Sequence, residues 1–305
     1  MPRAAVNGIE IEYETTGDPA DPTLLLVMGL GAQLIAWGDD FVETLAGRGF
    51  HVVRYDNRDV GLSTHMGDKT VTHRDMLRVA RRSQFGLSVD VPYAIADMAA
   101  DAAGLLDAIG IERCHVTGVS MGGMIAQQLA IDNPAKVLSL TSVMSTTGEK
   151  AVGMPTLRVL RLMSKSGGTS LEDVVAGELA MWRVIGTQSS FDPDVFTKRT
   201  TQAYHRAFDP QGVTRQTMAV LAAPSRANGL RSLRIPATVV HGTADPIVRV
   251  AGGLRTAWLI PGADLYLFGG HGHDLPYSAR ERLVDAIASN CVRAEAARTP
   301  SSVPA

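Results

Sequence analysis

Short apolar runs alternate along this chain with helix-patterned segments, and this alternation limits the fold more than any other feature. The runs cover residues 23–28, 51–55, 114–117, 137–143, 237–241 and 264–268, and most end in a Gly or Asp cluster. Helical spacing of apolar residues appears between them, at 41–46, 94–109 and 124–131. A strand buried on both faces reads as a near-continuous apolar stretch, and its alternation with helices predicts βαβ units. The expected class is α/β, a doubly wound and mostly parallel sheet with helices on both faces. Ligands of such sheets bind beyond the carboxyl ends of the strands, so the residues just after each run are the ones to inspect.

The pattern fails between about 148 and 230, where apolar residues such as Leu157, Leu160, Leu162 and Met163 recur at helical spacing and no strand is evident. This predicts a helical cap insertion, 148–230, on a core formed by 1–147 and 231–293, followed by a flexible tail at 294–305 rich in Ala, Arg, Thr, Pro and Ser. With 305 residues and a formal charge of -2, the chain can bury one sizeable core unaided. Its basic residues are dispersed, which argues against nucleic acid or an acidic membrane surface as partner. No run approaches the roughly 18 apolar residues of a membrane span. The start of the chain shows no charged-then-apolar leader, so a cytoplasmic location is expected. Cys114 and Cys291 lie far apart, suggest neither a disulfide framework nor a zinc site, and read as packing thiols. Oligomeric state is not legible.

The segment from Cys114 to Gly123 sets Ser120 at the centre of Gly118-x-Ser120-x-Gly122, after a strand and before a helix. A serine held in a tight, strained turn needs small residues two positions away on either side. Gly118 and Gly122 meet that need, and Gly123 and Ala126 would let the following helix approach the sheet. The serine hydroxyl is a weak nucleophile near neutral pH and requires a base, itself oriented by a third group. Asp245 follows the strand-and-turn segment Ala237-Thr-Val-Val-His-Gly-Thr-Ala, and two histidines, His271 and His273, follow the last strand run. The order Ser, Asp, His is that of a hydrolase triad on an α/β sheet. Asp264 begins a strand and reads as structural, while Asp274 is too near His273 in sequence to orient it. His51, His115 and His241 lie in or at the ends of strands and read as structural, and His65, His73 and His205 have no placing motif.

Four separated segments, Val27-Met-Gly-Leu30, the 118–122 turn, His241-Gly-Thr-Ala-Asp245 and Gly270-His-Gly-His273, make the chain similar to the α/β-hydrolase superfamily over nearly its whole length. The phrase Tyr55-Asp-Asn-Arg-Asp-Val-Gly-Leu-Ser63 and the Gly-His-Asp-Leu-Pro ending resemble bacterial carboxylesterases of the aclacinomycin methylesterase and macrolide esterase type. The resemblance implies Ser120 as nucleophile and Asp245 as orienting acid. It places a Gly just before the catalytic histidine, which selects His273 over His271. It also implies that Asp56, Arg58 and Asp59 form a hydrogen-bonded structural corner.

Acyl transfer develops negative charge on a carbonyl oxygen, which such enzymes meet with preorganised backbone amides. Met121, after the nucleophile, should supply one, and the resemblance assigns the second to Leu30, beside Gly29 and Gly31. Gly29, Leu34, Trp37 and Met144 are the expected substrate contacts, with Met154, Met163 and Met181 of the cap as further apolar lining. The expected activity is hydrolysis of a small, largely apolar carboxylic ester with no metal or organic cofactor. Lactone or thioester cleavage, C–C hydrolysis, perhydrolysis or acyl transfer on the same triad, or ligand binding without turnover, are the alternatives.

Overall fold

The computed structural model describes residues 2–67, 71–163 and 168–298. Its strands are β1 (Arg3–Val6), β2 (Ile9–Thr16), β3 (Thr23–Val27), β4 (His51–Tyr55), β5 (Cys114–Val119), β6 (Val137–Val143), β7 (Ala237–Gly242) and β8 (Asp264–Phe268). They form one 8-stranded sheet in the order β1-β2-β4-β3-β5-β6-β7-β8. β2 runs antiparallel to both β1 and β4, and from β4 to β8 every pairing is parallel. All five residues of β3, Thr-Leu-Leu-Leu-Val, are buried, and successive side chains enter opposite cores. Leu25 and Val27 pack with the helices α3 (Ile95–Ala108) and α4 (Met121–Asp132), whereas Leu24 and Leu26 pack with α1 (Asp39–Ala46) and the last helix. Burial of each such leucine is worth about 2 kcal/mol.

Helix α2 (His73–Gln84) precedes α3, and between β6 and β7 lie α5 (Leu157–Met163), α6 (Leu171–Ile185), α7 (Pro193–Arg206), α8 (Pro210–Ala222) and α9 (Ala227–Ser232). No strand occurs among the described residues of this insertion. α7 and α8 start alike: Asp192 and Asp209 accept hydrogen bonds from amides of the first turn, and Pro193 and Pro210 occupy a position whose amide would have no helical partner. α10 (Ala251–Leu259) joins β7 to β8, and α11 (Tyr277–Arg298) closes the chain.

Some elements depart from the sequence reading. β5 continues to Val119, two residues past the apolar run, because Gly118 still pairs with Val27 and Ser142. α4 starts at Met121, three residues before the helical pattern becomes visible, since Gly122 and Gly123 hide it. Residues 294–298, expected in a flexible tail, instead continue α11 through Arg298, with Ala294 only 2% exposed. Positions 299–305 lie outside the described residues.

Candidate active site

Ser120 sits between β5 and α4 with φ 57 and ψ -119, a conformation costly for a residue with a side chain. The surrounding glycines make it possible. A Cβ on Gly118 would lie 2.1 Å from the carbonyl oxygen of Gly122, one on Gly122 would lie 2.1 Å from that of Val27, and one on Gly123 would meet Ser145 Cβ at 2.5 Å. Backbone bonds complete the turn: Ser120 N–H donates to Val143 O at 2.9 Å, and Ser145 Oγ–H donates to Ser120 O at 2.8 Å.

His273 Nε2 lies 2.9 Å from Ser120 Oγ, and His273 Nδ1 lies 2.6 Å from Asp245 Oδ2. With Nδ1–H donating to the carboxylate, Nε2 is left to accept the serine proton. The other oxygen of Asp245 accepts from the amides of Ile247 and Val248 at 2.9 and 3.0 Å, which fixes the carboxylate in the turn after β7. His241, fully buried in β7, puts Nε2 2.7 Å from Val248 O and 3.6 Å from Asp245 Oδ2. Burial pushes this imidazole below its ordinary pKa, so it stays neutral and donates to the carbonyl.

The histidine loop rests on the insertion. His273 N–H donates to Ile185 O at 2.6 Å, Gly272 N–H to Thr187 Oγ1 at 3.0 Å, and Thr187 donates through N–H and Oγ1–H to Asp274. A Cβ at 272 would stand 2.2 Å from Ile185 O, a steric reason for glycine before His273. Asp274 thus serves Thr187, Asp264 pairs with Arg293, and neither meets His273. His271 turns its Nδ1 to Gly269 O and its ring edge to Phe268, and does not enter the Ser120–His273–Asp245 chain.

On the other side of the serine, Gly29 packs so closely that a Cβ there would lie 3.2 Å from Ser120 Cβ. Ala32 N–H closes a turn onto Gly29 O at 3.2 Å, with Gly31 at φ 68. Met121 follows the serine at the start of α4, and Leu30 lies in the turn next to Gly29. Leu34 and Trp37, expected as substrate contacts, are core instead: they are 0% and 2% exposed, and Trp37 stacks on Phe41. Their segment forms a short helical turn whose apolar side faces inward. Met144, 3% exposed at φ 49, also packs in the core just after β6. Met154 and Met163 are exposed and Met181 half-buried.

The Asp56, Arg58 and Asp59 cluster is an internal scaffold. Asp56 accepts from the amides of Leu34 and Leu62 and from Arg206, Arg58 forms two 2.6 Å bonds to Asp101, and Asp59 forms two to Arg215 at 2.7 and 2.8 Å. Burial raises the pKa of Asp56, opposed by the two amides and Arg206. Asp59, His65 and Asp209 bring possible metal-ligand atoms within 4.8 Å, but the Arg215 guanidinium already donates to both carboxylates. Arg206, Arg215 and Gln216 of the insertion, together with Gln33 and Thr187, were not singled out by sequence. For Arg215 and Gln216 the one signal is their helical spacing with Gly212 and Ala219, which puts two polar side chains on the buried face of α8.

A strained serine between a parallel strand and a helix, in line with a histidine and a buried aspartate, defines the serine-hydrolase class of α/β proteins. The chain belongs to the alpha/beta hydrolase fold family, whose model matches residues 22–279. It is 32% identical to rhodomycin D methylesterase DauP of Streptomyces sp. (strain C5), over 95% of this chain and 98% of that protein. It is also 26% identical to a 2-hydroxy-6-oxononadienedioate/2-hydroxy-6-oxononatrienedioate hydrolase of Paraburkholderia phymatum, over 90% and 88% of the two chains. Among solved structures, the enol-lactonase from Burkholderia xenovorans LB400 shares the fold, with a TM-score of 0.73, 22% identity and coverage of 95% and 100%.

Proposed function

We propose that this protein hydrolyses a carboxylic ester of a small, largely apolar molecule through an acyl-enzyme on Ser120. The observation that carries the reading is the unbroken hydrogen-bond chain from Ser120 Oγ through His273 to Asp245, 2.9 and 2.6 Å. His273 Nε2 takes the hydroxyl proton as Ser120 attacks the ester carbonyl, and the Asp245 carboxylate stabilises the imidazolium that forms. The amides of Leu30 and Met121 receive the tetrahedral oxyanion. His273 returns the proton to the departing alcohol, then deprotonates a water that attacks the acyl-enzyme. The acid leaves and the serine recovers its proton.

The methylesterase relative supports a methyl ester as the first substrate class to try. The dienedioate-hydrolase relative favours a second reading, cleavage of a dicarboxylic substrate on the same triad. The test is a panel of methyl and aryl esters of increasing acyl size beside a 2-hydroxy-6-oxo-dienedioate, with wild type and Ser120→Ala. Ester turnover at least about a thousandfold above that of the folded variant is expected. Turnover of the dienedioate alone would replace the reading, and equal rates in both proteins would remove it.

A further inference from the structure

The turn that carries Leu30 is tied to the insertion. Gly31 N–H, inside the turn, donates to Gln216 Oε1 at 2.8 Å, and Gln216 Nε2 donates to Arg58 O, also at 2.8 Å. Gln216 is 0% exposed on the inner face of α8 and so spans from the insertion to both the Leu30 turn and the corner after β4. A primary amide suits this place because it offers an acceptor to one backbone group and a donor to the other. α8 reaches the corner closely enough that a Cβ on Gly212 would lie 2.1 Å from Asp59 O, and the Arg215 pair with Asp59 pins the same turn of helix. The amide thus sits on a rigid support.

We propose that Gln216 is a positioning residue for the oxyanion hole, acting through Gly31 to fix the Leu30 amide. This rests on the assignment of Leu30 as a donor in the reading above. With Gly31 at φ 68 and Ala32 N–H on Gly29 O, the turn has the φ sign of type II at its third residue. Such a turn changes type by rotating its central peptide, the Leu30–Gly31 unit. The bond from Gly31 N–H to Gln216 holds that peptide in one orientation. That anchors the turn on the carboxyl side of Leu30, and Gly29 packed against Ser120 anchors it on the other, so the Gly29–Leu30 peptide that carries the Leu30 N–H is held between two fixed points. Gln33 adds a second tether, its Nε2 donating to Ala203 O and Ala207 O at 2.7 and 2.9 Å, so two points of the loop hang on the insertion.

The experiment compares Gln216→Met, which keeps the volume and removes both bonds, with Gln216→Glu, which keeps an acceptor for Gly31 N–H. On an ester that the wild type turns over, Gln216→Met should lower kcat about 10- to 100-fold with KM within about twofold, because the lost preorganisation matters in the transition state. Affinity for an arylboronic acid, which forms a tetrahedral serine adduct, should fall by a similar factor. Gln216→Glu should return to within about fivefold of wild type in both. Should the methionine variant not fold, Gln216→Asn, one methylene too short to span both groups, should show the same kcat loss. Unchanged kcat, a change confined to KM, or a glutamate variant no better than methionine would overturn the proposal. Ser120→Ala in parallel separates the two readings: turnover surviving there defeats the triad and this proposal together, whereas a normal Gln216→Met beside a dead Ser120→Ala defeats only the latter.

Discussion

Gly122→Ala tests whether the serine's reactivity depends on backbone geometry beneath it. The added methyl would lie 2.1 Å from Val27 O and 2.7 Å from Met28 O, both backbone atoms that no side-chain rotation can remove. Relief to 3.0 Å, the shortest contact real Cβ atoms show, moves α4 or β3 by about 0.9 Å, and misplacement of about 1 Å at a reacting group costs roughly 100-fold. Overpacking should also cost about 1–3 kcal/mol of stability. The assay is kcat on an aryl ester together with urea unfolding, set against Gly177→Ala as control. Nothing lies within 4 Å of a Cβ at Gly177, so alanine there should leave kcat unchanged and raise stability by about 0.5–1 kcal/mol. A Gly122→Ala protein with wild-type kcat and stability would refute the argument that close packing of β3 and α4 sets the serine.

Other consequences follow from named contacts. Arg215→Leu leaves Asp59, 1% exposed, without its bidentate partner, and should cost about 3–5 kcal/mol in urea unfolding, with the double variant Arg215→Leu, Asp59→Asn recovering part of it. The Arg255 guanidinium, bonded to Glu149 at 2.8 Å through two nitrogens, holds that carboxyl below its ordinary value of 4.5. A depressed folded-state pKa gives stability that is present above 4.5 and lost as pH falls through the folded value, so the Tm difference between wild type and Glu149→Gln should vanish in acid and persist at pH 7. Burial pushes the Cys114 and Cys291 thiols up to about 12, so neither should react with iodoacetamide at pH 8 in the folded protein, and both should react in guanidinium chloride.

The strands were legible because β3, β4, β5, β6 and β7 are buried at almost every position and so are rich in Val, Leu and other apolar residues, a pattern that survives the few buried polar side chains among them and needs no knowledge of their neighbours. Ser120, Asp245 and His273 could be singled out because each follows a strand and the serine needs glycines flanking it, a local demand written in adjacent letters. β1 escaped notice because it has four residues, of which only Ala4 and Val6 are buried, and its pairing with β2 sets it in place. Leu34 and Trp37 read as pocket residues because an apolar side chain beside a candidate site has the same letters whether it faces a ligand or the core. The links from Gln216 to Gly31 and from Thr187 to Gly272 span 185 and 85 positions, and a hydrogen bond made by a side chain across such a distance leaves no periodic trace. The last turns of α11 were missed for a related reason: an Ala- and Arg-rich end is helix or coil according to what it packs against, and Ala294 meets the core.

A fluorophosphonate reports which side chain is the nucleophile, through mass spectrometry of the labelled peptide. A single adduct on Ser120 is predicted, forming quickly in wild type and in His271→Ala and at a rate lowered by about a thousandfold or more in folded His273→Ala. An adduct on another residue, or labelling of Ser120 that proceeds equally well without the imidazole of His273, would contradict the account.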